Sequence, residues 1–177
     1  MTRSRAVLVA GIGNVFHGDG GFGVEVARRL RRRPLPPGVD VADFGIRSTD
    51  LRYALGADYR TVVLVEATAR GLVPGTVSLV EPGEIPGEIP GEVFGEIPGG
   101  PPGDAVHALD PVRLAREDGR VPARTLLVAC EPSERAAHPP WEMGLSRPVA
   151  AAVAEAVRLV EMVAARETGR LLTGAPA

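Results

Sequence analysis

Four positions where apolar runs give way to polar chain carry side chains that could do chemistry: Asp19 in a glycine-rich stretch, Glu66 after Val62-Val63-Leu64-Val65, His107, and Cys130 followed by Glu131. A carboxylate with an imidazole can hold a divalent metal through oxygen and nitrogen, and two carboxylates can share a proton and activate water. Both chemistries suit a hydrolase. Each residue also has a plainer reading. Asp19 could satisfy backbone amides in a turn, Glu66 could pair with an arginine, and His107 could face solvent or cap a helix. Cys130 reads as an inert small hydrophobe, because a neighbouring Glu131 does nothing to lower a thiol pKa. Asn14 is expected to hold its loop through side chain to backbone hydrogen bonds, and His17 lies beside it without an assigned part.

These residues need elements to position them. Ala6 to Ala10 is apolar at every position and stops at Gly11, as a strand covered on both faces would be. Phe22, Val24, Val26, Ala27 and Leu30 then form a helical apolar face, with Arg28 to Arg33 at the end that suits positive charge. Pro34, Pro36 and Pro37 stop that helix, and Val39 to Phe44 alternates as a second strand. Ser48 or Thr49 is expected to cap a short helix running to Leu55. Thr61 to Ala67 reads as a buried central strand, Thr76 to Val80 as another, and Thr125 to Ala129 as a later one with Cys130 just past it. A helix is expected from Pro111 to Glu117. Ser146 should cap a last helix with Pro148 in its first turn and a stripe of Val149, Val153, Ala156, Val157, Leu159, Val160 and Val163. Trp141 and Met143 ahead of it read as a lid or as packing.

Strands alternating with helices predict one three-layer α/β/α domain over residues 1–177, with a twisted, mainly parallel sheet of the phosphorylase or hydrolase type. Function in such sheets collects at the carboxyl ends of the strands. Residues 82–103 break the pattern with Gly-Glu-Ile-Pro units in tandem, which suits a surface loop.

Composition narrows the classes. The chain has 177 residues, 45% of them hydrophobic and 24% charged, enough for one core. A domain this long buries about 70% of its unfolded surface. Its 20 basic residues are all arginine against 22 acids, for a net charge of -2, so no positive field for nucleic acid or an anionic membrane is expected. One cysteine excludes an internal disulfide and a multi-cysteine metal site, and the absence of a long apolar run points to a soluble, cytoplasmic protein. Phe16 stands where a GxGxxG fingerprint needs its third glycine, which weakens a nucleotide reading.

Gly11-Ile12-Gly13-Asn14, four residues, then Asp19-Gly20-Gly21-Phe22-Gly23-Val24 resembles the N-terminal signature of the hydrogenase maturation proteases. That signature is Gly, Ile or Val, Gly, Asn, four residues, then Asp, Asp or Glu, Gly, any residue, Gly, Val. The resemblance continues through Asp43-Phe44-Gly45, through Val62 to Ala67, through His107-Ala108-Leu109-Asp110-Pro111 and through Gly144-Leu145-Ser146. It implies an α/β/α endopeptidase of aspartic or metal-assisted type that removes a C-terminal extension from the large-subunit precursor of a NiFe hydrogenase after nickel insertion. The nickel of the substrate would be the recognition element, and no cofactor of the protease's own is implied. Carried over by position, the metal-touching and catalytic residues are Glu66 in place of the usual Asp, His107, and Asp19, with Gly11, Gly13, Asn14, Gly21 and Gly23 shaping the loop. Gly20 stands where the family has its second loop acid. The alternative is therefore a family member that binds the nickel-loaded precursor without cutting it.

Overall fold

The computed structural model describes residues 6–80, 122–133 and 143–173. The expected helix at 111–117, the repeat at 82–103, His107 and Trp141 lie outside the described residues.

Among the described residues the chain runs β1 (Val7–Ile12), a 3-10 turn (Gly18–Gly21), α1 (Phe22–Leu30), β2 (Val39–Gly45), α2 (Ser48–Leu55), β3 (Thr61–Ala67), β4 (Val77–Val80), β5 (Arg124–Cys130) and α3 (Arg147–Thr173). The strands form one five-stranded sheet in the order β2-β1-β3-β5-β4. β2, β1, β3 and β5 are parallel, and β4 returns antiparallel along β5.

The unbroken apolar runs of β1, β3 and β5 are explained by cover on both faces. Val7, Val9, Val63, Val65, Leu126 and Val128 pack with Phe22, Val26 and Leu30 of α1 and with the Val149, Val153, Val157 and Val160 stripe of α3. Their alternates Leu8, Ala10, Val62, Leu64, Leu127 and Ala129 pack with Leu51 and Leu55 of α2 and with Phe44. Each of the fully buried Val or Leu side chains contributes about 1.5–3 kcal/mol of transfer free energy. The layers are α1 and α3, the sheet, then α2, as expected.

Several boundaries differ from the sequence reading. β1 does not stop at Gly11. Gly11 stays in the ladder opposite Asp43 and Val65, and the register slips only between Gly11 and Ile12. Glycine is required there by close approach and not by a strand end, since a Cβ on Gly11 would lie 2.3 Å from the Gly23 carbonyl oxygen. Cys130 is likewise inside β5, paired with Ala67 and Val77. Ser48 is the first residue of α2 and not its cap. Arg47 precedes the helix without a side-chain cap bond, and its guanidinium donates to the Phe44 and Asp43 carbonyls.

Candidate functional site

From β1 the chain passes through α1 to β2 on one side, then crosses through α2 to β3 on the other. The carboxyl ends of β1 and β3 therefore flank the point where the winding reverses, which is where open α/β sheets leave a crevice for a ligand. The glycine loop leaves β1 at this point, and Glu66 stands next to the last residue of β3.

The glycines hold the two strand ends and α1 together. A Cβ on Gly23 would lie 2.0 Å from the Val65 carbonyl oxygen and 2.4 Å from that of Ile12, so α1 begins with its backbone against both strand ends. Gly13 has φ +132° and would place a Cβ 1.9 Å from the Gly20 carbonyl oxygen. Gly21 is closer to ordinary contact, with a Cβ 3.2 Å from the Val15 Cα. Gly20 resembles Gly21: its φ is ordinary, and a Cβ there would meet the Asn14 carbonyl oxygen at 3.2 Å and the His17 Cβ at 3.5 Å. Backbone conformation does not require glycine at position 20, but a side chain there needs a few tenths of an ångström of give from the Asn14 carbonyl, which is itself bonded to the His17 N–H.

Asn14 braces the loop as expected. Its Oδ1 accepts from the Phe16 N–H at 3.0 Å, and its carbonyl accepts from the His17 N–H at 3.1 Å. The carbonyl of His17 in turn accepts from the Gly20 N–H at 2.9 Å, closing the 3-10 turn.

Asp19 is 1% exposed. Its Oδ1 accepts from the Ser146 N–H at 2.6 Å, and its Oδ2 accepts from the Ser146 hydroxyl at 2.8 Å and the Ser133 N–H at 2.9 Å. The carboxylate thus joins the glycine loop, the segment after β5 and the start of α3, with its charge at the positive end of that helix. Ser146, expected as a cap, stands next to the first helical residue, but its hydroxyl donates to Asp19. Sequence reasoning missed this pairing because the partners are 114 and 127 positions from Asp19.

Glu66 is partly buried and lies in register with Ala129 of β5. By strand alternation it shares the face of Val62 and Leu64, the α2 side. The 3-10 turn that carries Asp19 packs against β3. No three His, Cys, Asp or Glu among the described residues group closely enough to hold a metal ion. Cys130 faces the α1 and α3 side and is fully buried. Burial, then the charges of Asp19, Glu131 and Glu155, push its thiol up to about 12, which bears out the inert reading.

Glu131, which the sequence reading set beside Cys130 without a part of its own, is a second buried carboxylate. It is 6% exposed, and its Oε2 and Oε1 accept from the N–H groups of Arg70 at 2.7 Å and Gly71 at 3.3 Å. Its backbone is bonded to Thr76 and Gly75, so one residue after β5 fixes both legs of the connection from β3 to β4. Met143 is 69% exposed and does not pack under the loops.

No family model matches the chain. Over 86 residues it is 34% identical to the hydrogenase expression/formation protein HupD of Bradyrhizobium diazoefficiens, covering 48% of this chain and 44% of HupD. The chain spans about half the length of the first curated relatives it matches. The fold is similar to that of the hydrogenase maturating endopeptidase HybD from E. coli, with a TM-score of 0.71 at 24% identity, covering 93% of this chain and 94% of HybD. It is also similar to a hydrogenase 2 maturation peptidase from a Thaumarchaeota archaeon, with a TM-score of 0.57 at 28% identity over 88% of this chain and 95% of that one.

Proposed function

The chain belongs to the hydrogenase maturation protease family, and on that premise we propose that it is an endopeptidase acting on the large-subunit precursor of a NiFe hydrogenase. It removes the precursor's C-terminal extension after nickel insertion and recognises the nickel held by that substrate. The observation that supports this reading best is the convergence of the glycine loop and Glu66 on the two strand ends flanking the reversal of the winding.

In this reading Glu66 offers an oxygen donor and His107 a nitrogen donor to the nickel that the precursor carries. A carboxylate at the end of β3 can also take the proton of an attacking water as the peptide bond is cut. Of the two parts open to Asp19, polarising water or orienting the loop, its bonds to Ser133 and Ser146 favour the second.

A second reading is favoured by Gly20. The backbone conformation at position 20 does not require glycine, and no acid stands there where the family has its second loop acid. A chain lacking that ligand would bind the loaded precursor and leave it intact. Incubating the nickel-loaded precursor with wild type, Gly20→Asp, Glu66→Gln and His107→Ala, and weighing the products, separates the two. The endopeptidase reading expects wild type to shorten the precursor and both Glu66→Gln and His107→Ala to slow this by at least about 100-fold. Shortening by Gly20→Asp alone would establish the impaired reading. Shortening by neither would refute proteolysis.

A further inference from the structure

Large apolar side chains exposed among the described residues are distributed unevenly. Tyr53 and Met162 stand on outer helix faces, but Phe16, Ile46, Leu72, Val73 and Met143 all stand on connections at the carboxyl end of the parallel strands. Phe16 follows β1, Ile46 follows β2, Leu72 and Val73 follow β3, and Met143 precedes the junction of Ser146 with Asp19. One end of the sheet carries an apolar rim.

The part contributed by the β3 to β4 connection is held rigidly. Glu131 ties down the N–H groups of Arg70 and Gly71, Thr68 donates its N–H to the Cys130 carbonyl at 2.9 Å, and Gly75 donates to the Glu131 carbonyl at 2.8 Å. The base also abuts α3: a Cβ on Gly75 would lie 2.7 Å from the Pro148 carbonyl oxygen. The tip on this base presents Val73 at 75% exposure. By fixing this connection the buried carboxylate also lowers the entropy lost when the exposed tip is covered by something else.

We infer that the Leu72-Val73 tip, with Phe16, Ile46 and Met143, is a docking surface for a polypeptide segment of the precursor, separate from the residues that meet the metal and the scissile bond. This rests on the endopeptidase reading. Two observations specify the occupant. From the connection after β2 to the one crossing β5 is three inter-strand spacings, about 14 Å, which is wide for a small ligand and suits a chain segment. Arg70 is exposed beside the tip, so the matching segment is apolar with an acidic residue next to it.

The test uses the full-length protein and the nickel-loaded precursor, with Leu72→Ser/Val73→Ser against wild type and against Tyr53→Ser and Met162→Ser, the exposed apolar positions away from the rim. The double variant should melt as wild type does, raise KM for the precursor (or Kd, if wild type binds without cutting) tenfold or more, and leave kcat unchanged. Both control variants should match wild type. An unchanged KM in the double variant overturns the docking surface while the endopeptidase reading stands. A wild type that neither binds nor cuts the precursor overturns both. A wild-type dimer in sedimentation that the double variant dissolves would assign the rim to a second copy of this chain and overturn the inference.

Discussion

Asp19 shows how one side chain can be legible in type and illegible in role. Its place in the glycine-rich signature marks it, but its work depends on Ser133 and Ser146, which only the closed fold brings near. A buried carboxylate that accepts three hydrogen bonds leaves unpaired donors when it is altered. Asp19→Asn turns an amide N–H toward groups that need an acceptor, and should cost about 2–4 kcal/mol in urea unfolding. Ser146→Ala removes one bond to a charged group and should cost about 2 kcal/mol, since the Ser146 backbone N–H keeps its own. An unchanged midpoint for both variants would refute the junction. Cys130 gives a pH prediction. Its thiol is raised from 9.0 to about 12, so the folded chain holds that proton more tightly than the unfolded chain does. Below pH 9 both states are protonated and the linkage is silent. Between about pH 9 and 12 the unfolded thiol ionises first and stability falls. Cys130→Ala should flatten that fall, and alkylation of the native protein at pH 8 should proceed only as fast as the chain opens.

The elements were legible wherever a run of residues meets one environment throughout. β3 reads true from Thr61 to Ala67 because both its faces are covered, and α1 and α3 read true because their apolar stripes face a single layer. Errors fell where a residue type carries two meanings. Gly11 looks like a strand end, and the approach of α1 makes it a strand interior. Ser146 does stand at the expected cap position, with its carbonyl accepting from the Ala150 N–H at 2.8 Å, but its hydroxyl serves a carboxylate from another element. The last helix also has a second anchor that no local pattern signals. Glu167, 5% exposed, accepts from the Thr61 hydroxyl at 3.1 Å and lies 3.6 Å from the Arg124 Nε, tying α3 to the amino ends of β3 and β5. Glu167→Ala leaves a mostly buried guanidinium without this partner and should cost about 3 kcal/mol. Arg33 and Glu161 also pair, between the end of α1 and α3, but in solvent, and Arg33→Ala should cost less than about 1 kcal/mol. Urea midpoints on the two variants check the contrast. Equal losses would mean that burial does not decide the worth of these pairs.

At the scale of the whole molecule the sheet has two different ends. Glu167, Thr61 and Arg124 make the amino end a stability device, while the carboxyl end gathers the glycine loop, Glu66 and the apolar rim. Asp19 stands at the carboxyl end yet does both kinds of work, because it holds α3 in place and shapes the loop next to the crevice. On the endopeptidase reading, stability and turnover should therefore separate along the strand direction. Glu66→Gln keeps nearly the same volume at a partly buried strand end outside both core clusters, so unfolding free energy should change by less than about 1 kcal/mol while precursor cleavage falls by at least about 100-fold. Glu167→Ala should do the reverse, melting earlier yet cutting at the wild-type rate at temperatures where it stays folded. Asp19→Asn should lose both together. The check is one set of urea curves and one set of cleavage rates on the same three preparations. A Glu66→Gln protein that loses stability and cleavage in step would place Glu66 with the structural carboxylates and leave the crevice without its acid.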